Sequence, residues 1–370
     1  MLKKLMIFII PIFFLFNCAK KEEVIKIGGV GPLTGSQAEI GQDLINGEKL
    51  AVEEINAQGG LLGKKVELLA MDDKADPKEA VNVAHKFVSD PDIVAVVGHL
   101  NSGATLPASI VYHQANMVML TPSSTNPKVT KQGFKNVFRA CITDEVQGPL
   151  CASFAIETLK KEKIAVLHDK TAYGQGIAEQ FTKTVIEKGK NLLLFEGITE
   201  GERDFMAILT KIKNLNPDLL FFGGIFPEGG IIIKQARQLG LKATFMTGDG
   251  CFAPEFMRIA GQASEGTVVS FLAPPWEEKK SASEFVATFK KKYGAVKTYA
   301  PYGYECVNII AQAIKIAGKV ERRTILEVMN DPDFYYEGIL GRTQFDLYGD
   351  TKNKDLYFYV VKNGKFQLYR

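Results

Sequence analysis

Short apolar runs of β character alternate with stretches of helical periodicity along almost the whole 370-residue chain, and this alternation most narrows its possible folds. A helix between consecutive strands is a crossover, so the strands are expected to run parallel in doubly wound α/β layers. Strands read at 24–30, 65–71, 93–97 and 118–120, separated by helical stretches at 42–58, 78–89 and 104–114. A second series follows, with helices at 145–160, 177–188, 205–215 and 228–239 around strands at 164–167, 192–195, 218–223 and 244–247. After a strand at 267–271, Ala273-Pro274-Pro275 reads as a stiff crossover into helices at 282–292, 302–317 and 324–329. A turn at 349–353 and a hairpin at 356–362 and 366–369 close the chain. With 46% hydrophobic residues there is more apolar material than one core uses, so two lobes of about 150 residues are expected.

Three of the strands run into loops rich in Ser, Thr and Gly, at 98–104, 121–125 and 168–174. In a parallel sheet such loops gather where the strands end, and helix N-termini there point free N–H groups at an anion. Ser102 and Thr125 add hydroxyl donors. Taken singly, a Ser or Thr after a strand is the ordinary cap of the next helix, and Thr121-Pro122 is a turn. A fourth loop, Gly248-Asp249-Gly250, carries an acid, although the same triplet also serves as a plain turn. Together the four supply donors for a carboxylate and an anion for an ammonium, the two halves of a small zwitterion.

These loops, with the segment at 25–35 before them, resemble the leucine/isoleucine/valine-binding protein family of ABC transporters, in unbroken motif order from about Val24 to the C-terminus. The resemblance implies two doubly wound parallel-sheet lobes joined by a three-crossover hinge, with the late helices added to the first lobe. It puts residues 24–143 and 273–348 in that lobe and 144–272 and 349–370 in the second. It implies that Ser102 and Thr125 bind a ligand carboxylate, that the carbonyl of Ser123 and the carboxylate of Asp249 bind its ammonium, and that Tyr173 closes over it. Leu100, Ile40 and Ile225 would wall the side-chain pocket. Well-studied members carry aromatic rings where Ile40 and Ile225 stand and Glu where Asp249 stands, so the pocket here is expected to be roomier and aliphatic. An α-amino acid, of the branched-chain type first, is the expected ligand. Hinge closure is the expected action, with no cofactor, a separate permease and ATPase as partners, and a monomeric chain.

The N-terminus bears on location. Lys3 and Lys4 precede a twelve-residue apolar stretch from Leu5 to Phe16, too short to span a bilayer and suited to a secretory signal. With Leu15 three places before it, Cys18 makes the segment resemble a lipoprotein signal, which implies a lipid anchor on Cys18 and a polar tether at 19–23. Asn17 and Phe16 are bulkier than usual there, and an uncleaved anchor or a soluble secreted protein are the alternatives. The protein is thus expected to be exported, periplasmic or at the cell surface.

Charge argues against nucleic acid: 45 basic residues oppose 42 acidic ones, and the lysine clusters at 279–280 and 290–292 read as solvated helix faces. Beyond Cys18 there are Cys141, Cys151, Cys251 and Cys306, which allow three complete pairings or four separate thiols. The resemblance points to a disulfide beside the first binding loop, but Ala75 and Asn101 occupy its positions. Enzyme readings fit poorly. The glycines at 28–35 miss the dinucleotide spacing, with Pro32 in the turn, and neither a nucleophile elbow nor zinc-ligand spacing occurs. His99 and His168 open binding loops and read as loop-orienting residues. A ligand-sensing receptor for an amide or small carboxylate, of the same fold, is the stronger alternative, ahead of an exported α/β enzyme. Such receptors run on into a membrane span, and none reads here.

Overall fold

The computed structural model describes residues 24–369; the signal segment, Cys18 and the tether lie outside the described residues. Among these there are two main sheets. The first is parallel in the order β2-β1-β3-β4-β5, built from β1 (Val24–Gly31), β2 (Lys65–Asp72), β3 (Ile93–Val97), β4 (Val118–Thr121) and β5 (Val137–Arg139). All five residues of β3 are buried, as expected of a strand covered on both faces. The covering helices include α1 (Ala38–Ala57), α2 (Pro77–Ser89) and α3 (Ser102–Gln114). Asp76 caps α2 by accepting from the amides of Lys78 and Glu79, with Pro77 at the first helical position.

The second sheet has the same winding in β6 (Lys163–His168), β7 (Asn191–Gly197), β8 (Leu219–Gly223), β9 (Thr244–Thr247) and β10 (Val268–Phe271). Around it run α4 (Asp144–Ser153), α5 (Ala172–Glu187), α6 (Met206–Leu215), α7 (Phe226–Gln238) and α8 (Pro254–Ala260). The chain then returns to the first body through α9 (Ser283–Tyr293), α10 (Ala300–Ala317) and α11 (Arg322–Met329), and α10 packs along α1. Gly47 makes that possible, because a Cβ there would stand 1.9 Å from the Ala300 carbonyl oxygen. A small hairpin, β11 (Tyr335–Gly338) with β12 (Gly341–Gln344), precedes the closing pair β13 (Tyr357–Lys362) and β14 (Lys365–Leu368), which extends the second sheet antiparallel to β10.

The chain therefore passes between the two bodies three times. Ala140, Cys141, Leu272, Ala273, Thr351 and Asn353, from the three passages, line one small cavity, so the passages lie side by side. Asp350 still bridges to Arg139 at the end of β5, which puts the third passage after residue 351 rather than at 349.

Several elements differ from the sequence reading. The helix expected at 145–160 ends as α4 at Ser153 and continues as a wider π turn from Phe154 to Thr158, where the Phe154 ring stacks on Phe358 at 3.8 Å. Neither β5, α8 nor the β11–β12 hairpin was expected, each being too short for periodicity to register. The four cysteines within the described residues are free, buried thiols, so none of the three pairings forms. No helix among the described residues is long and apolar enough to cross a membrane.

Candidate functional site

Parallel strands present their carboxyl ends to a crevice where the strand order reverses, and here both sheets do so toward one another. Loops after β3, β4, β6, β8 and β9 border a cavity of about 170 Å³. An apolar cavity of about 150 Å³ holds a molecule the size of benzene, so a small metabolite fits this one.

Seven of the eight residues singled out in the sequence line the cavity: Ile40, Leu100, Ser102, Ser123, Tyr173, Ile225 and Asp249. Ile40 and Leu100 come from the first body and Ile225 from the second, forming the aliphatic walls. Ser102 begins α3, whose first turn leaves amides without partners inside the helix. Its hydroxyl accepts from the Asn126 amide at 3.2 Å. The Ser123 hydroxyl is spent on the Leu100 carbonyl at 2.9 Å, which ties the β4 loop to the β3 loop. His99 orients that loop from beneath, with Nδ1 2.7 Å from Asp73 and Nε2 3.1 Å from the Tyr112 hydroxyl.

Thr125 is placed differently: it does not line the cavity but lies one layer behind, fully buried, with its hydroxyl unpaired beside the Asp144 carboxyl. Asp144 opens α4 just after the first passage between the bodies, and apart from the Thr125 hydroxyl beside it no donor among the described residues meets either of its oxygens. Burial, with the Asp249 charge nearby, pushes its pKa up to about 8, against the opposing pull of the Thr125 hydroxyl and the Arg139 charge. The folded state therefore holds a proton on Asp144 that the unfolded chain releases near pH 4. This contribution to stability is complete below the unfolded value and lost as pH rises from about 4 to about 8. Asp144→Asn is expected to leave stability near wild type at pH 4 and to raise the melting temperature by a few degrees at pH 8, read by thermal unfolding at both. A gap that is the same at both pH values contradicts this.

Asp249 is the acid of the site. It is 3% exposed, and among the described residues no lysine, arginine or histidine pairs with it. Its Oδ1 accepts from the Tyr173 hydroxyl at 2.8 Å and its Oδ2 from the Tyr299 hydroxyl at 2.9 Å. Burial raises its pKa, and the tyrosine donors, with Gln147 beyond them, pull it back toward the ionised form. A carboxylate desolvated in this way completes its environment with a cation. The cavity thus sets an anion-accepting helix start and an unpaired buried acid around aliphatic walls.

Tyr299 was not anticipated. It caps the start of α10, some fifty residues from Asp249, and the only local sign was Pro301 marking a helix start behind it. Asn101, Glu200 and the backbone of Gly250 also line the cavity without having been foreseen. Among the described residues no group of His, Cys, Asp and Glu could hold a metal ion.

The sequence profile of the family described as "Periplasmic binding protein" matches residues 24–365. The chain is 37% identical over 337 residues to a Leu/Ile/Val-binding protein homolog 1 of Brucella abortus (strain 2308), covering 91% of this chain and 90% of that one. Among solved structures, the leucine binding protein LivK of Thermotoga maritima superposes with a TM-score of 0.88 at 31% identity, over 94% of this chain and 98% of that one. The branched-chain amino acid transporter substrate binding protein LivJ of Streptococcus pneumoniae, in complex with isoleucine, gives 0.86 at 30% identity, over 93% and 98%.

Proposed function

The chain belongs to the periplasmic binding protein family, and on that premise we propose that it captures an amino acid, branched-chain first, between its lobes and delivers it to an ABC permease. The observation that carries this reading is Asp249: a buried carboxylate with no basic partner among the described residues, facing aliphatic walls across from a helix N-terminus. Ser102 and the first amides of α3 hold the ligand carboxylate, with Thr125 in the layer behind them. Asp249 and the Ser123 carbonyl hold the ammonium. Ile40, Leu100 and Ile225 enclose the side chain, and Tyr173 closes from the second body. The names of the relatives, which speak of leucine, isoleucine and valine, support this ligand class.

The ligand bridges both bodies and shifts the population toward the closed form, which is the form that engages the permease. The hinge is the set of three passages, joining a first lobe of residues 24–143 and 273–351 to a second of residues 144–272 and 352–369. No bond is made or broken, so the chain needs no cofactor. Energy for transport comes from ATP hydrolysed by a separate subunit. The protein acts as a monomer outside the cytoplasm, held to the membrane by lipid on Cys18.

Two measurements test this. The purified protein should bind amino acid one to one without turnover, and ligand consumption in proportion to protein would instead make it an enzyme. The full chain should partition into detergent, and Cys18→Ser should release it or leave it unprocessed. Recovery of unmodified soluble protein with Cys18 intact would remove the anchor from the account.

A further inference from the structure

Three consecutive residues at the start of α10 reach across the cleft to residues spaced by three on the second body. Lys297 Nζ lies 3.4 Å from Glu255 Oε1, the Thr298 hydroxyl donates to the Phe252 carbonyl at 2.8 Å, and the Tyr299 hydroxyl donates to Asp249 Oδ2 at 2.9 Å. The segment is held rigid from its own side. Asp43 of α1, buried and lying within one body, accepts all three amides of Thr298, Tyr299 and Ala300 on one oxygen, at 3.0, 2.8 and 2.9 Å. Three backbone donors on one carboxylate oxygen fix the loop before anything crosses the cleft. The outermost contact, at the rim, is shared: Glu39 of α1 meets Arg258 of α8 at 2.9 Å and Lys297 at 3.2 Å. Exposed pairs of this kind contribute little. Of the two inner contacts, that of Tyr299 with Asp249 is buried and that of Thr298 with Phe252 partly so.

We propose that residues 297–299 form a closure clasp and that Tyr299 is a positioning residue for Asp249, supplying from the opposite lobe one of the hydrogen bonds that the ligand-binding acid makes only when the cleft is shut. This rests on the reading of Asp249 as the ammonium acceptor. Tyr173 belongs to the same body as Asp249 and can hold it in any state of the cleft, whereas Tyr299 can do so only across it. The Tyr299 hydroxyl therefore adds to ligand affinity and to closure together, and its effect depends on the carboxylate it meets.

The test uses the purified protein, with leucine as probe, in a double-mutant cycle. Tyr299→Phe keeps the ring and removes one hydrogen bond to a charged group, so affinity by calorimetric titration should fall about tenfold or more. Small-angle scattering should show compaction at correspondingly higher leucine. Thr298→Val should cost a smaller factor of about three to ten. In the Asp249→Asn background the Tyr299→Phe effect should shrink to about threefold or less, an outcome that a merely structural tyrosine would not give. Tyr304→Phe, whose hydroxyl meets Glu54 at 2.6 Å within the first body, is the control and should leave leucine affinity unchanged. Wild-type affinity and compaction in Tyr299→Phe would overturn the clasp, as would a loss undiminished in the Asp249→Asn background. If wild type binds leucine and only the clasp variants behave as wild type, the clasp alone fails. If wild type itself binds none of the twenty amino acids, the ligand reading fails and the clasp falls with it.

Discussion

Asp249→Asn is expected to weaken amino-acid binding by on the order of a hundredfold while leaving the fold intact. Removing one partner of a desolvated charge pair costs roughly 3–5 kcal/mol, whereas losing one neutral hydrogen bond among several costs about 0.5–1.5 kcal/mol. Asparagine keeps an oxygen for one tyrosine and the ligand keeps its other contacts, so the loss settles near two decades, at 1.4 kcal/mol per tenfold. Ser102→Ala, which takes one hydroxyl from a helix start still rich in amides, should cost about threefold to tenfold. The ranking of the two variants matters more than either value. The asparagine variant should unfold at or above the wild-type temperature, because a buried carboxylate whose pKa is raised by burial is not a source of stability. Binding within about threefold of wild type would mean that the carboxylate does not hold the ammonium, and that the ligand lacks a positive charge or places it on another acid.

Arg139→Ala should be the most damaging single change to stability. Arg139 is fully buried at the end of β5, where its guanidinium donates to Asp350, to the carbonyls of Ser124 and Asn126 at 2.8 and 3.0 Å, and to the Thr130 hydroxyl. One side chain thus fastens the loop after β4 to the strand segment that precedes the third passage between the lobes. Alanine leaves Asp350 as a buried charge without its partner and takes one donor from each of two carbonyls, at a cost of roughly 3–5 kcal/mol. In thermal unfolding this corresponds to a fall on the order of ten degrees. Arg139→Lys should recover only a fraction, since an ammonium cannot reach the four acceptors of a planar fork. A melting point for Arg139→Ala within about two degrees of wild type would show that the loop and the strand are held by other contacts. Because Ser123 and Thr125 sit on that loop, ligand affinity should fall as well.

What could be read from the sequence and what could not follow from the range of the forces involved. The loops at 98–104, 121–125 and 168–174 were legible because each follows a run such as Ile93–Val97 whose burial on both faces dictates continuous apolar residues. The end of such a run announces the crevice. Asp249 was legible for the same reason, standing just past β9 between two glycines. Arg139 was not, because a charged residue closing a three-residue strand reads as surface until its partner, Asp350, is known to lie beside it. Tyr299 was hidden likewise: its role comes from a contact across the cleft, and nothing within ten residues of it is periodic with Asp249. Thr125 was legible as a polar residue of the right loop, yet which layer it occupies depends on how that loop turns over Asp144. The hairpin at 335–344 and α8 were too short to leave a periodic signature.

The central claim is that this cleft takes an α-amino acid by its two charges and an aliphatic side chain. It is tested most directly by calorimetric titration of the protein, unfolded and refolded to strip any carried ligand, against each of the twenty amino acids. The account predicts saturable one-to-one binding, with leucine, isoleucine and valine the tightest and acidic side chains excluded by Asp249 and Glu200 on the cavity wall. Failure of every amino acid to bind, in a refolded protein that melts cooperatively, would contradict it.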